Sequence, residues 1–116
     1  MKLIQSTPIT CFLNAVASLP TNSPSTRLDW LEEQLLNYIF LATARGERLL
    51  VGQIILLKQF GSQATLHGRL KNLVREGYIR LLEDKEDGRR KLVHLTAKAD
   101  NHYEQLSKCL ISALKK

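Results

Sequence analysis

The stretch EDKEDGRRK, residues 83–91, places eight charged side chains around Gly88. Four carboxylates stand before the glycine, and three bases follow it. Most charge runs of this kind are solvated turns, whereas bases grouped on one surface bind polyanions such as nucleic acid. The run is therefore either a charged turn exposed to water or a contact surface.

A second group of side chains follows Ser62, in SQATLHGRLKNLVREGYI. No acidic residue occurs between Val51 and Arg75, although the chain holds 11 carboxylates. A helix that lies against phosphates gains from bases and is penalised for every carboxylate. The side chains able to hydrogen-bond base edges or phosphates are Ser62, Gln63, Thr65, His67, Arg69, Lys71 and Asn72. An ordinary amphipathic surface helix is the alternative, and the absence of acids favours a helix that binds double-stranded DNA.

Residues for catalysis or metal binding are not grouped in this sequence. The three histidines are dispersed, and neither a catalytic triad nor a phosphate-binding glycine motif is present. Cys11 and Cys109 lie far apart without a CxxC motif, so we interpret both as buried apolar thiols. The sequence therefore predicts no enzyme activity, no cofactor and no metal site.

Composition agrees with a small DNA-binding protein. The chain has 116 residues, of which 44% are hydrophobic, and a net charge of +6. This length suits one modest core, and the positive charge favours a polyanionic partner. No apolar stretch reaches the roughly 20 residues of a membrane span, and no signal-peptide cleavage pattern is present. We expect a cytoplasmic protein that does not bind a membrane.

The first half of the sequence predicts three helices. Thr7 and Pro8 begin the first, and Pro20 ends its apolar pattern. Residues 20–26, PTNSPST, read as a connector. Thr26 and Asp29 form a predicted capping box for the second helix, which ends near Gly46. A third, strongly apolar helix is expected over about residues 51–59.

The second half predicts a helix, a hairpin and a last helix. The helix runs from the N-cap Ser62 to Glu76, with an apolar face and a terminal glycine, Gly77. Its apolar face consists of Leu66, Leu70, Leu73 and Val74. Two short strands, 78–82 and 91–95, flank the charged run, which is therefore a hairpin tip. Thr96 caps a final helix that runs towards Lys116.

This order predicts a mainly α fold with a small β-hairpin (α+β), namely a winged helix-turn-helix domain with terminal dimerisation helices. In such a domain the helix after Ser62 is the recognition helix and the hairpin is the wing. We place an N-terminal dimerisation helix and linker at 1–26, the DNA-binding domain at 27–96 and a C-terminal dimerisation helix at 97–116. The apolar stripes of both terminal helices exceed what one small core absorbs, so a homodimer is expected.

From about Leu50 to Leu106 the chain resembles the MarR family of bacterial regulators. The resemblance rests on the wing pattern Asp84, Asp87, Arg89, Val93, Leu95 and Thr96, and on the recognition helix with Thr65 and Arg69. It implies that Asp87 braces the wing with Arg89, that Arg89 reaches the minor groove, and that Arg90 and Lys91 contact the DNA backbone. Ala99 stands where the family usually has glycine.

The resemblance implies a transcriptional regulator, and we expect a homodimeric repressor. In the family the terminal helices form the dimer and the effector pocket, so a small-molecule effector of unknown identity is a further expected partner. Some members use a first-helix cysteine for redox sensing, a role open to Cys11. A winged-helix protein-interaction module, or a plasmid or phage replication or partition protein that binds DNA, remains the alternative function.

Overall fold

The computed structural model describes residues 7–19 and 28–115. These residues form two compact units. One unit comprises residues 28–99, and the other comprises the described parts of both chain ends, 7–19 and 100–115. The predicted connector 20–26 and Thr26 lie outside the described residues.

Helix α1, Pro8–Ala17, begins where the sequence predicts. Thr7 is the N-cap, and its Oγ1 accepts a hydrogen bond from the amide of Thr10 at 3.4 Å. Pro8 occupies the first helical turn, where a missing N–H costs nothing because that group has no partner within the helix. The start of the N-terminal helix is therefore confirmed.

Helix α2, Trp30–Ala44, is capped differently from the prediction. Asp29 is itself the N-cap: its Oδ1 accepts the Glu32 amide at 2.8 Å, and Glu32 Oε1 accepts the Asp29 amide at 2.9 Å. Asp29 is thus the N-cap and not the N3 residue of the predicted capping box, whose other member, Thr26, lies outside the described residues. The helix ends as predicted, with Gly46 at φ +81°.

The third predicted helix is much shorter than expected. Helix α3 covers only Val51–Ile54, and a 3₁₀ turn follows at Lys58–Phe60. Ile54 is buried, whereas Leu56 is exposed. The apolar run is therefore not buried along its whole length, and its burial does not require an unbroken helix. The 3₁₀ turn places the Phe60 ring edge-on to Tyr38 of α2, with 6.0 Å between the centroids. Tertiary packing thus overrides the helical pattern after Ile54.

Helix α4, Gln63–Arg75, is the predicted recognition helix. Leu66, Leu70 and Leu73 are buried, and the core of this unit also includes Leu35 and Ile39 of α2. Val74, predicted on the same apolar face, is 37% exposed. Gly77 follows at φ +85°, a left-handed conformation that favours glycine, so the helix stops where predicted.

Strands β1, Ile79–Glu83, and β2, Lys91–Leu95, form the antiparallel hairpin. Their register pairs Ile79 with Leu95 and Glu83 with Lys91, so β1 is displaced by one residue from the prediction. The segment before α3 joins the sheet, because the Val93 amide donates to the Leu49 carbonyl at 2.9 Å. The middle of β2 is therefore joined to the segment that leads into α3.

Helix α5, Ala97–Leu114, begins after Thr96 as predicted. Thr96 Oγ1 accepts the Ala99 amide at 3.3 Å and donates to the Gly77 carbonyl at 2.6 Å. The Thr96 hydroxyl therefore joins the end of α4 to the start of α5. Ala99 is fully buried, which explains why a small residue stands there.

Candidate DNA-binding surface

The exposed face of α4 carries polar and basic groups. Ser62 caps the helix: its Oγ accepts the Thr65 amide at 3.2 Å and donates to Thr65 Oγ1 at 3.0 Å. Five predicted contact residues are exposed, and they are Ser62, Gln63, Thr65, His67 and Lys71. This face presents no carboxylate, because residues 51–75 contain none. Such a surface suits a negatively charged partner.

Small residues lie at the centre of this face. Gly68 is two residues from both Leu66 and Leu70, which places it opposite the buried side of a helix with 3.6 residues per turn. A Cβ at Gly68 would meet nothing within 4 Å, so packing inside the chain does not require glycine there. Ala64, one turn earlier, is also exposed. The helix backbone is therefore open to close approach by another molecule.

Arg69 and Asn72 lie on the flank of α4 that faces α2. Arg69 Nη2 is 3.0 Å from Asp29 Oδ2, and Asn72 Nδ2 donates to Glu32 Oε2 at 2.6 Å. Arg75 in turn donates to the side-chain oxygen of Asn72. Two predicted contact residues are thus held by acids at the start of α2. The sequence pattern indicates Asp29 only as a capping residue, and nothing in that pattern indicates its partner on α4.

Asp87 and Arg89 form a two-point pair at the tip of the wing. Asp87 Oδ1 accepts from Arg89 Nε at 3.1 Å, and Oδ2 accepts from Nη2 at 3.3 Å. The Arg89 amide also donates to Oδ1 at 3.1 Å. These bonds from the Arg89 side chain, and then from its amide, lower the pKa of Asp87. The Arg89 side chain is nevertheless 91% exposed, so it is oriented without being enclosed.

Asp84 holds the turn of the wing in place. Its side chain is only 3% exposed, and its Oδ2 accepts from Arg90 Nη2 at 2.7 Å. Arg48 Nη2 lies 3.6 Å from Oδ1. A hydrogen bond from the Glu86 amide, followed by the Arg90 and Arg48 charges, lowers the pKa of Asp84 below its usual value. Arg90 is thus bound within the hairpin.

The three bases that follow Gly88 all have acidic partners inside the hairpin. Arg89 pairs with Asp87 and Arg90 with Asp84, and Lys91 Nζ lies 3.7 Å from Glu83 Oε1. The resemblance to the MarR family implies that Arg90 and Lys91 contact the DNA backbone. In the free chain their charges are balanced locally, and any such contact would compete with these pairs.

The described part of the chain also bears on metal binding, membrane spans and the two cysteines. No group of three or more His, Cys, Asp or Glu residues in residues 7–19 and 28–115 could hold a metal ion. Within the same ranges, no helix is long and apolar enough to cross a membrane. Cys109 is buried, as expected, whereas Cys11 is only partly buried.

The fold is similar to those of solved bacterial regulators. A probable transcriptional regulator from Pseudomonas aeruginosa matches with a TM-score of 0.58 and 23% identity, over 90% of this chain and 77% of that one. The transcriptional regulator PA4135 matches with a TM-score of 0.58 and 17% identity, over 99% and 81% of the two chains. The chain has the winged-helix fold of transcriptional regulators.

A third structure with this winged-helix fold is the disulfide-formed state of AbfR. It matches with a TM-score of 0.59 and 16% identity, over 90% of this chain but 64% of AbfR, so the chain spans less than two thirds of that protein. No protein-family model and no curated protein matches the sequence. The order of helices and strands in the sequence predicts this winged-helix architecture, and the prediction is confirmed.

Proposed function

We propose that the chain is a DNA-binding transcriptional regulator, a homodimeric repressor of the MarR type that binds double-stranded DNA. The observation that carries this proposal is the exposed face of α4, which combines a capped N-terminus, polar and basic side chains, and no carboxylate. A protein-interaction module would instead expose acidic or apolar residues on this helix. The winged-helix fold of the solved regulators supports the same function.

The recognition helix would enter the major groove with its N-terminal residues leading. Gln63, Thr65 and His67 would meet base edges or phosphates near the N-terminus, and Lys71 would neutralise a phosphate. The N-terminus itself attracts phosphate, because its amides carry partial positive charge. Gly68 would allow the helix backbone to lie close to the groove floor.

The wing would contact DNA beside the recognition helix. Arg89, exposed and oriented by Asp87, is suited to insertion into a minor groove. Arg90 and Lys91 would reach the phosphates flanking that groove after exchanging their acidic partners for DNA. Asp84 would then keep the turn of the wing in place through its contact with Arg48.

Dimerisation would use the unit built from the chain ends. Its two helices expose large apolar side chains, each at least half accessible to solvent: Ile9, Leu13, Leu110, Ile111 and Leu114. A single chain gains by burying such a surface against a second copy. A two-fold dimer would present two recognition helices about one DNA turn apart, roughly 34 Å. Binding of a dimer to a promoter would block it, which is the expected repressor mechanism.

The decisive experiment is selection of bound sequences from a random DNA pool at a stated salt concentration. We expect enrichment of a two-fold-related sequence with half-sites about one turn apart. Lys71→Ala should then weaken binding to all sequences alike and reduce the slope of log affinity against log salt by about 1, because it removes one phosphate contact. A pool that shows no enrichment over many rounds, with salt-independent binding, would refute the proposal.

A further inference from the structure

Asp29 serves two partners with its two carboxylate oxygens. Oδ1 accepts the Glu32 amide at 2.8 Å and so caps α2. Oδ2 lies 3.0 Å from Arg69 Nη2 on the recognition helix. The carboxylate is therefore fixed by its own helix before it holds the arginine. Because one oxygen is held at the cap, the other meets Arg69 in a defined position.

The surrounding bonds make this arrangement rigid. Glu32, whose side chain is buried, returns the capping bond to the Asp29 amide through Oε1 and accepts from Asn72 through Oε2. The start of α2 is thus joined to α4 at two points one turn apart, Arg69 and Asn72. Such paired polar contacts fix the rotation of α4 about its axis as well as its distance from α2.

Arg69 remains accessible while it is held. Its side chain and that of Asp29 are each 43% exposed, so the pair lies at the surface. Arg69 Nε is buried without a hydrogen-bond partner among the described residues, so the solvent-accessible surface of this side chain belongs to its other atoms. A guanidinium whose direction is already set loses less conformational freedom when it binds a base edge.

We infer that Asp29, a residue outside the recognition helix, determines DNA sequence preference by fixing the direction of Arg69. This inference rests on the proposed function and makes Asp29 a positioning residue that acts through Arg69. Bidentate recognition of guanine requires an oriented guanidinium, whereas attraction to phosphate does not. Loss of Asp29 should therefore reduce discrimination between sequences more than it changes overall attraction to DNA.

Asp29→Asn separates the two tasks of this side chain. Asparagine is an equally good N-cap and keeps an oxygen for the Glu32 amide, but its amide group faces Arg69 with a donor instead of an acceptor. Affinities are measured for the selected sequence and for a scrambled duplex of equal length at the same salt. We expect their ratio to fall by about 5-fold or more, the usual scale for one base contact, while affinity for scrambled DNA stays equal or rises slightly.

Glu33→Gln is the matched control, because it removes the same charge from the first turn of α2. We expect both affinities to rise equally and their ratio to remain unchanged. A purely structural loss in Asp29→Asn would lower both affinities together, and that outcome would overturn the inference. A ratio equal to that of the wild type would overturn it as well.

Asp29→Asn is then combined with Arg69→Gln. If Asp29 acts through Arg69, the double variant should show the same ratio as Arg69→Gln alone. A further, independent fall in the ratio would refute the mechanism. A wild-type chain with no preferred sequence would refute the proposed function together with this inference, whereas preserved preference in Asp29→Asn would refute the inference alone.

Discussion

Replacement of Gly68 by alanine should stabilise the chain and weaken its binding to DNA. Glycine in a helix interior is less favourable than alanine by about 0.8–1 kcal/mol, since it loses more backbone freedom on folding. At Gly68 the added methyl group would meet nothing within 4 Å, so no clash offsets this gain. The free energy of unfolding should therefore rise by about 0.5–1 kcal/mol, and the melting temperature by roughly 3–6 °C.

The same methyl group should interfere at a close helix–DNA contact. Gly68 lies opposite the buried leucines, at the part of α4 that would approach the groove floor most closely. Forcing one extra methyl group into a well-packed contact costs about 1–3 kcal/mol, so affinity for the selected DNA should fall by about 5-fold or more. Thermal unfolding and titration of labelled duplex DNA measure the two effects separately.

Asn101→Ala is a suitable control for the stability effect. Asn101 is exposed on α5, and alanine should raise helix stability there by several tenths of a kcal/mol. Its affinity for DNA should equal that of the wild type. If Gly68→Ala binds DNA as tightly as the wild type while gaining the expected stability, α4 does not approach DNA through this face and our assignment of the surface is wrong.

Three further outcomes are expected, from the wing, the terminal helices and a half-buried histidine. Asp87→Ala should weaken DNA binding although the protein becomes more positive, because Arg89 loses its two-point partner. The control Glu86→Ala should bind DNA equally well or slightly more tightly. Equal tightening in both variants would show that the wing is only a charged turn. Leu110→Glu should make the chain sediment as a monomer at micromolar concentration, because it places a charge in the proposed dimer contact. A wild-type chain that sediments as a monomer and keeps its full affinity for DNA would contradict the proposed dimer. Burial lowers the pKa of His102, so as the pH falls below about 6.5 the unfolded chain takes up the proton first and the folded chain becomes less stable. His102→Gln should make the free energy of unfolding depend less on pH between about pH 7 and 5. An unchanged pH dependence would show that His102 is not the cause.

Several helix ends and the hairpin could be predicted because local signals determine them. Thr7 with Pro8, Ser62, Gly77 and Thr96 each carry a capping or stopping preference that needs no distant partner. The element order then follows, and it defines the winged-helix architecture. The helix end predicted from Gly77 agrees with the structure because the backbone there is left-handed, a conformation that favours glycine.

The rest depends on contacts between distant parts of the chain. The predicted 51–59 helix breaks after Ile54, and packing of Phe60 on Tyr38 fixes the 3₁₀ turn that follows. No short-range pattern reports that contact. Asp29 has the sequence context of a cap, and only the folded chain shows that its second oxygen reaches Arg69, 40 positions further along.

The ion pairs within the wing have a kinetic consequence for the proposed function: the search along DNA and the recognition of the operator would use different parts of the chain. Residues 83–91 contain four acids and four bases, so the whole net charge of +6 resides in the remainder of the chain. A neutral wing exerts little long-range attraction on DNA, and electrostatic steering then depends on bases elsewhere, such as Lys58 and Lys71. In the proposed complex, the phosphate contacts of Arg90 and Lys91 would form after α4 has docked, because both side chains must first leave their acids. The chain would therefore slide along non-specific DNA with its wing disengaged, and wing substitutions would change the dissociation rate from the operator much more than the association rate.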